Sequence, residues 1–294
     1  MLKGSVVALV TPMQADGVID EACLKDLVNW HIYQGAQGII AAGTTGESAT
    51  LSTKEQTQVI ALVAETAQKR LPVFAGTGTN ATRSTIEATK AAKAVGADGA
   101  LVLTPYYNRP TQEGLFRHYM ALAEALEFPL MLYNVPARTA CDLLPKTIAR
   151  LCEQAGHIIG VKEATGDLHR VAELKERCHE DFLLFSGDDA TAMDFMLQGG
   201  QGVISVVANV VPKLVRQLCD TALEGDSARA HVLNSALALW YRRLSLEPNP
   251  IPVKWALQQM GKIPSGIRLP LTPLSEVFHE MMLEALEQIG VDHA

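Results

Sequence analysis

The chain has 294 residues, 48% of them hydrophobic and 19% charged, enough to bury a large core as one big domain or a barrel with an appendage. Its formal net charge is −7, and no run of Lys or Arg could track phosphates, so nucleic acid is not an expected partner. Five dispersed cysteines (Cys23, Cys141, Cys152, Cys178, Cys219), with no C-x-x-C pair, point to reduced thiols in a cytosolic protein rather than a disulfide framework.

Short apolar runs recur along the chain with helical segments between them. The first is Val6–Val10, closed by Thr11-Pro12, and the apolar stretch there is too short for a signal peptide. Apolar residues at helical spacing follow, among them Leu24, Leu27, Val28, His31 and Ile32. The second run, Gly38–Ala42, ends in Gly43-Thr44-Thr45-Gly46-Glu47-Ser48, and the third, Pro72–Ala75, in Gly76-Thr77-Gly78-Thr79-Asn80. Ala100–Leu103 leads into Thr104-Pro105-Tyr106-Tyr107-Asn108, and Pro129–Tyr133 into Asn134-Val135-Pro136-Ala137-Arg138-Thr139. Ile158–Val161 is followed by Lys162-Glu163-Ala164-Thr165, Phe182–Phe185 by Ser186-Gly187-Asp188-Asp189, and Val203–Val207 completes the series.

The starts of these runs lie roughly 20 to 35 residues apart, the length of a strand plus its crossover helix. Continuous rather than alternating hydrophobicity fits strands buried on both faces of a parallel sheet. Eight such units predict an α/β protein built as a closed (β/α)₈ TIM barrel. A doubly wound dinucleotide-binding sheet would carry G-x-G-x-x-G after its first strand, where this chain has Thr11-Pro12-Met13.

The segment Val203–Val211 is interrupted by Ser205 and Asn209 and is too short to span a bilayer, so no membrane partner is expected. From about Gly225 the strand signals stop, and Ala228–Tyr241, Pro252–Met260 and Leu274–Ile289 read as helices. The expected division is a barrel catalytic domain over residues 1–224 and a small C-terminal helical extension over 225–294.

Chemistry in such barrels gathers at the C-terminal ends of the strands. Lys162 ends a run that otherwise reads as a fully buried strand, and burial favours the neutral amine, a nucleophile for carbonyl carbons. Thr44 and Thr45, in a glycine-framed turn, can offer hydroxyl and backbone N–H donors to a carboxylate. Tyr133 falls on the strand next to that of Lys162, where its phenol could shuttle the protons of carbinolamine dehydration. Arg138 presents a planar fork suited to a second carboxylate. Together these describe a pocket for a small carboxylated carbonyl compound.

Other chemistries find less support. The eight histidines show no metal-ligand spacing, and no G-x-S-x-G nucleophile turn is present. Asp188-Asp189 with Asp194 could hold Mg²⁺, but an Asp at a loop-to-helix junction more often caps the helix. No metal or cofactor is expected, because an imine on the lysine would itself act as the electron sink.

The segments 43–48, 133–139, 160–166 and 186–189, together with Asn249-Pro250-Ile251-Pro252-Val253-Lys254, resemble the dihydrodipicolinate synthase family over essentially the whole chain. The resemblance implies that Lys162 forms a Schiff base with pyruvate, that Tyr133 handles its protons, and that Thr44 relays to Tyr107, which reaches into a neighbouring subunit's site. It implies further that Thr45 binds the pyruvate carboxylate, that Arg138 receives the carboxylate of L-aspartate-4-semialdehyde, and that Gly187 and Ile204 line the site. The implied product is 4-hydroxy-tetrahydrodipicolinate, an intermediate toward diaminopimelate and lysine. The implied assembly is a homo-oligomer, a tetramer built as a dimer of dimers, in the cytoplasm.

An N-acetylneuraminate lyase-like enzyme or another 2-keto acid aldolase would share the lysine and tyrosine. Arg138 and the Tyr106-Tyr107 pair weigh against it, and a non-catalytic scaffold would most simply lack Lys162, Tyr133 or Thr44. The resemblance also implies an L-lysine effector site at Ser48, Ala49, Leu51, Asn80 and Tyr106. Thr53, Gln56 and Ser84 stand where strongly inhibited members carry two histidines and a glutamate, so weak or absent inhibition is expected.

Overall fold

In a computed structural model, which describes residues 2–290, the eight apolar runs lie side by side as parallel strands. They are β1 (Gly4–Ala8), β2 (Gly38–Ala41), β3 (Val73–Gly76), β4 (Gly99–Leu103), β5 (Leu130–Asn134), β6 (Ile158–Glu163), β7 (Leu183–Ser186) and β8 (Gly202–Ser205). Each pairs with the next in sequence, and β1 pairs with β8 through Gly4–Gly202 to Val7–Ser205, so the sheet closes into a barrel without an edge.

Helices follow the strands and cover the outside: α1 (Glu21–Tyr33), α2 (Thr53–Ala67), α3 (Thr82–Ala94), α4 (Gln112–Ala125), a single turn α5 (Pro136–Thr139), α6 (Pro145–Gln154), α7 (His169–Arg177), α8 (Ala192–Leu197) and α9 (Pro212–Leu223). Local chemistry fixes where they start. The Asp20 carboxylate accepts from the Cys23 N–H at 2.9 Å to begin α1, and Ser52 and Glu55 form a reciprocal capping box at α2. Leu24, Leu27, Val28 and His31 make the buried stripe of α1, as their spacing predicts.

Two apolar layers result. The larger lies between the barrel and its helices, and the smaller fills the barrel itself with Val6, Ala8, Ile40, Phe74, Leu101, Met131, Tyr133, Leu183, Phe185 and Ile204. Each aliphatic or aromatic side chain sealed from water contributes about 1.5–3 kcal/mol.

After Gly225 the described residues hold three α-helices joined by turns and irregular segments: α10 (Ser227–Arg243), α11 (Ile251–Gln259) and α12 (His279–Glu287). α10 packs on α8, α9 and α12, while α11 lies against the 3₁₀ turn Val207–Asn209 that follows β8. That turn corrects the expected strand Val203–Val207, and β1 likewise stops at Ala8 rather than Val10. The apolarity continues there for another reason. Asn209 Oδ1 accepts from the Val10 N–H at 3.2 Å and its amide donates to the Ala8 carbonyl at 2.8 Å, so a side chain replaces the ladder. The last helix begins at His279, five residues later than expected, because residues 276–278 form a 3₁₀ turn instead.

Candidate active site

Lys162 and Glu163 belong to β6, which therefore runs two residues beyond the apolar stretch. Successive strand residues face opposite sides of the sheet, so the register decides which one enters the barrel. Leu130 pairs with Ile158 but Met131 pairs with Gly160, a one-residue slip in the β5–β6 ladder. Gly160 sits where β7 crowds in, since a Cβ there would lie 2.4 Å from the Leu183 carbonyl oxygen. Above the slip Leu132 pairs with Val161 and Tyr133 with Lys162. Without it, Val161 would oppose Tyr133 and the lysine would point outward.

Lys162 is only 6% exposed, and its Nζ lies 4.3 Å from the centroid of the Tyr133 ring. It makes no hydrogen bond or ion pair with any described residue, and neither does the hydroxyl of Tyr133 or of Thr44. Gly187, just past β7, makes room for the lysine: a Cβ there would stand 2.8 Å from Lys162 Cε and 2.6 Å from Ala164 Cβ. Ile204 on β8 is buried in the same inner layer as Tyr133.

Outside the barrel wall a polar network locks the backbone beside the lysine. Glu163 is buried and accepts from Asn134 Nδ2 at 3.1 Å and from the Thr165 N–H at 2.9 Å. Arg170 reaches its carboxylate at 3.4 Å and holds Asp142 at 2.6 and 2.9 Å. Burial pushes the Glu163 carboxyl above its ordinary range, opposed by the Asn134 hydrogen bond and the charge of Arg170. The sequence reading passed over this network, although an acidic residue next to the buried lysine was its visible sign.

Thr45 and Arg138 come together through a residue to which no role had been assigned. The Asn249 amide donates to Thr45 Oγ1 at 3.0 Å, and the Asn249 carbonyl accepts from Arg138 Nη2 at 3.4 Å. Arg138 itself stands exposed on α5, and the Asn249 Oδ1 is buried without a hydrogen-bond partner among the described residues. Of the Asp188-Asp189 pair, Asp188 ties the turn entering α8 by accepting from Thr191 N and Oγ1 at 3.1 and 2.7 Å. Asp189 accepts from the Val206 and Val207 N–H groups at 2.9 and 3.1 Å, and burial raises its carboxyl.

Tyr107 lies apart from this cluster in the single chain. Its side chain is 88% exposed on the loop after β4, with φ at +74°, a left-handed backbone unusual for a bulky residue. Tyr106 beside it is 41% exposed. Ser48 and Ala49 form the 3₁₀ turn after β2, Leu51 follows it, and the Asn80 carbonyl accepts from Asn108 Nδ2 at 2.8 Å. Thr53 and Ser84 are exposed, whereas Gln56 donates to the Gly76 carbonyl at 2.6 Å.

The family model described as the Dihydrodipicolinate synthetase family matches residues 1–289. A 4-hydroxy-tetrahydrodipicolinate synthase of Methylococcus capsulatus is 56% identical over 291 residues, covering 99% of this chain and 100% of that relative. Among solved structures, the chloride-inhibited dihydrodipicolinate synthase of Acinetobacter baumannii complexed with pyruvate is 51% identical, with a TM-score of 0.97 over 99% of this chain and 100% of that one. A structure described as the first monomeric dihydrodipicolinate synthase variant is 37% identical, with a TM-score of 0.96 over 99% and 98% of the two chains.

Proposed function

The chain belongs to the dihydrodipicolinate synthetase family, and we propose that it condenses pyruvate, held as an imine on Lys162, with L-aspartate-4-semialdehyde. It is a lyase, and its product is 4-hydroxy-tetrahydrodipicolinate. The observation that carries the Lys162 assignment is a lysine only 6% exposed, its amine facing a tyrosine ring and bonded to no described residue.

The amine adds to the pyruvate ketone, and loss of water gives the imine. Proton loss from the methyl group gives an enamine, whose carbon attacks the aldehyde of the second substrate. The amino group of that substrate then displaces the lysine from the imine carbon, closing the ring and freeing the enzyme. One water is released overall.

Tyr133 carries the protons of these steps, with Thr44 and a partner subunit's copy of Tyr107 as its relay. The exposure and left-handed backbone of Tyr107 support a residue built to enter a neighbouring chain, and with it a homo-oligomer, a dimer of dimers. Thr45 receives the pyruvate carboxylate, Arg138 that of the semialdehyde, and Gly187 and Ile204 shape the wall. Ser48, Ala49, Leu51, Asn80 and Tyr106 form a remnant site for L-lysine. Five free cysteines support a reducing, cytoplasmic setting.

The direct test supplies the purified protein with pyruvate and L-aspartate-4-semialdehyde and follows the condensation product. Product formation dependent on both substrates is the expected result. Cleavage of N-acetylneuraminate without that condensation would favour the other lysine aldolases.

A further inference from the structure

The turn that carries Thr44 and Thr45 is held from the far end of the chain. Glu47 is the fourth residue of that turn, 3% exposed, with φ at +59° and ψ at +34°. A left-handed backbone is strained for a residue with a side chain and persists only where its surroundings hold it. The holding group is Lys254 of α11, whose ammonium meets the Glu47 carboxylate in an ion pair, the two side chains only 5% and 0% exposed. The other carboxylate oxygen accepts from the Arg268 N–H at 3.1 Å.

Within the turn the Glu47 N–H donates to the Thr44 carbonyl at 3.1 Å, and the Ser48 N–H to the Gly43 carbonyl at 3.2 Å. The turn therefore moves as a unit, and a shift at Glu47 passes to both threonines. Asn249, five residues before Lys254, grips Thr45 Oγ1 from the same segment.

α11 is otherwise apolar where it is buried, with Ile251, Pro252, Val253, Trp255, Ala256 and Leu257 all packed inside. Burial pulls Lys254 below the ordinary lysine range, with Glu47 opposing the shift. A buried ion pair is a poor stabiliser compared with an apolar pair of equal volume, although it fixes relative geometry well. An ion pair in this place is thus better explained by positioning than by stability alone.

We propose that Glu47 and Lys254 are positioning residues through which the C-terminal helical segment sets the Thr44–Thr45 turn against the carboxylate of pyruvate. This inference rests on the reading of Thr45 given above.

The test replaces the pair by an apolar one, Glu47→Leu with Lys254→Met, and measures melting temperature, KM for each substrate, kcat, and borohydride trapping on Lys162. A folded double variant should show KM for pyruvate raised about tenfold or more, KM for the semialdehyde little changed, and trapping on Lys162 retained at saturating pyruvate. A folded double variant with pyruvate KM within about twofold of the parent would overturn the proposal. Should the double variant not fold, Lys254→Arg decides. It keeps the charge but changes reach and shape, and a raised pyruvate KM at unchanged melting temperature supports the proposal whereas an unchanged KM rejects it. Failure of the unmodified protein to be trapped on Lys162 would instead count against the functional reading, which keeps the two outcomes apart.

Discussion

Lys162 stands directly across the β5–β6 ladder from Tyr133, its Nζ 4.3 Å from the centroid of the phenol ring. The pairing separates the two parts of the tyrosine. The ring packs on the amine, while the hydroxyl has no hydrogen-bond partner among the described residues and is free for proton transfer.

Tyr133→Phe keeps the ring and orphans no buried group, so the melting temperature should not change. Turnover should fall by about 10²–10⁴, the usual worth of a positioned acid–base group. Steady-state kinetics beside a thermal melt check both halves. Unchanged turnover would move the proton role to another residue.

Gly187→Ala places a methyl group 2.8 Å from Lys162 Cε and 2.6 Å from Ala164 Cβ. The lysine must swing away from its place over Tyr133, so imine formation should slow by about tenfold or more. The rate of borohydride-trapped adduct formation at fixed pyruvate reads this out. A parent-like rate would show that the lysine has room the packing denies it.

Inhibition by L-lysine should be weak. A glutamate near its ammonium groups would contribute a charge-assisted hydrogen bond of about 1.5–3 kcal/mol, and a serine hydroxyl about half that. Ser84 is exposed, and the Gln56 amide is already committed to the Gly76 carbonyl at 2.6 Å, which leaves it poorly placed to receive a cation. An inhibition curve that saturates below about 1 mM lysine would contradict this reasoning.

The eight strands were legible because strands buried on both faces must be apolar throughout, and the spacing between them leaves room only for crossover helices. The strand ends were less so. Leu9 and Val10 look like strand, yet only the Leu9 N–H still reaches β2, at the Ile40 carbonyl, while the Val10 N–H is met by the Asn209 side chain, about 200 residues away. The motif residues of the site were visible as polar groups at strand ends. The one-residue slip that turns Lys162 inward was not, because it depends on Gly160 meeting β7 across space. Asn249 and Lys254 stood out only as parts of a motif, without a role, and Arg170 not at all, since their partners are fixed by folding rather than by spacing.

Acid should destabilise the fold through His31. Burial lowers this histidine from 6.5 to about 3, and neither ring nitrogen has a hydrogen-bond partner among the described residues. The unfolded chain therefore binds a proton that the folded one refuses. The resulting loss begins as pH falls below the unfolded value and grows until the folded value is reached, amounting to about 2 kcal/mol at pH 5. His118, lowered to about 4 by burial, adds a loss of the same sign. Denaturant melts at pH 7 and pH 5 should show a smaller acid loss in His31→Leu than in the parent. Equal losses in the two proteins would refute the assignment.

The central claim is that Lys162 carries the reaction, and borohydride reduction in the presence of pyruvate followed by peptide mapping tests it most directly. The account predicts one reduced pyruvate adduct, on the peptide containing Lys162, and none in Lys162→Arg, which keeps the charge but cannot form the imine. An adduct on any other lysine, or full turnover by Lys162→Arg, would contradict it.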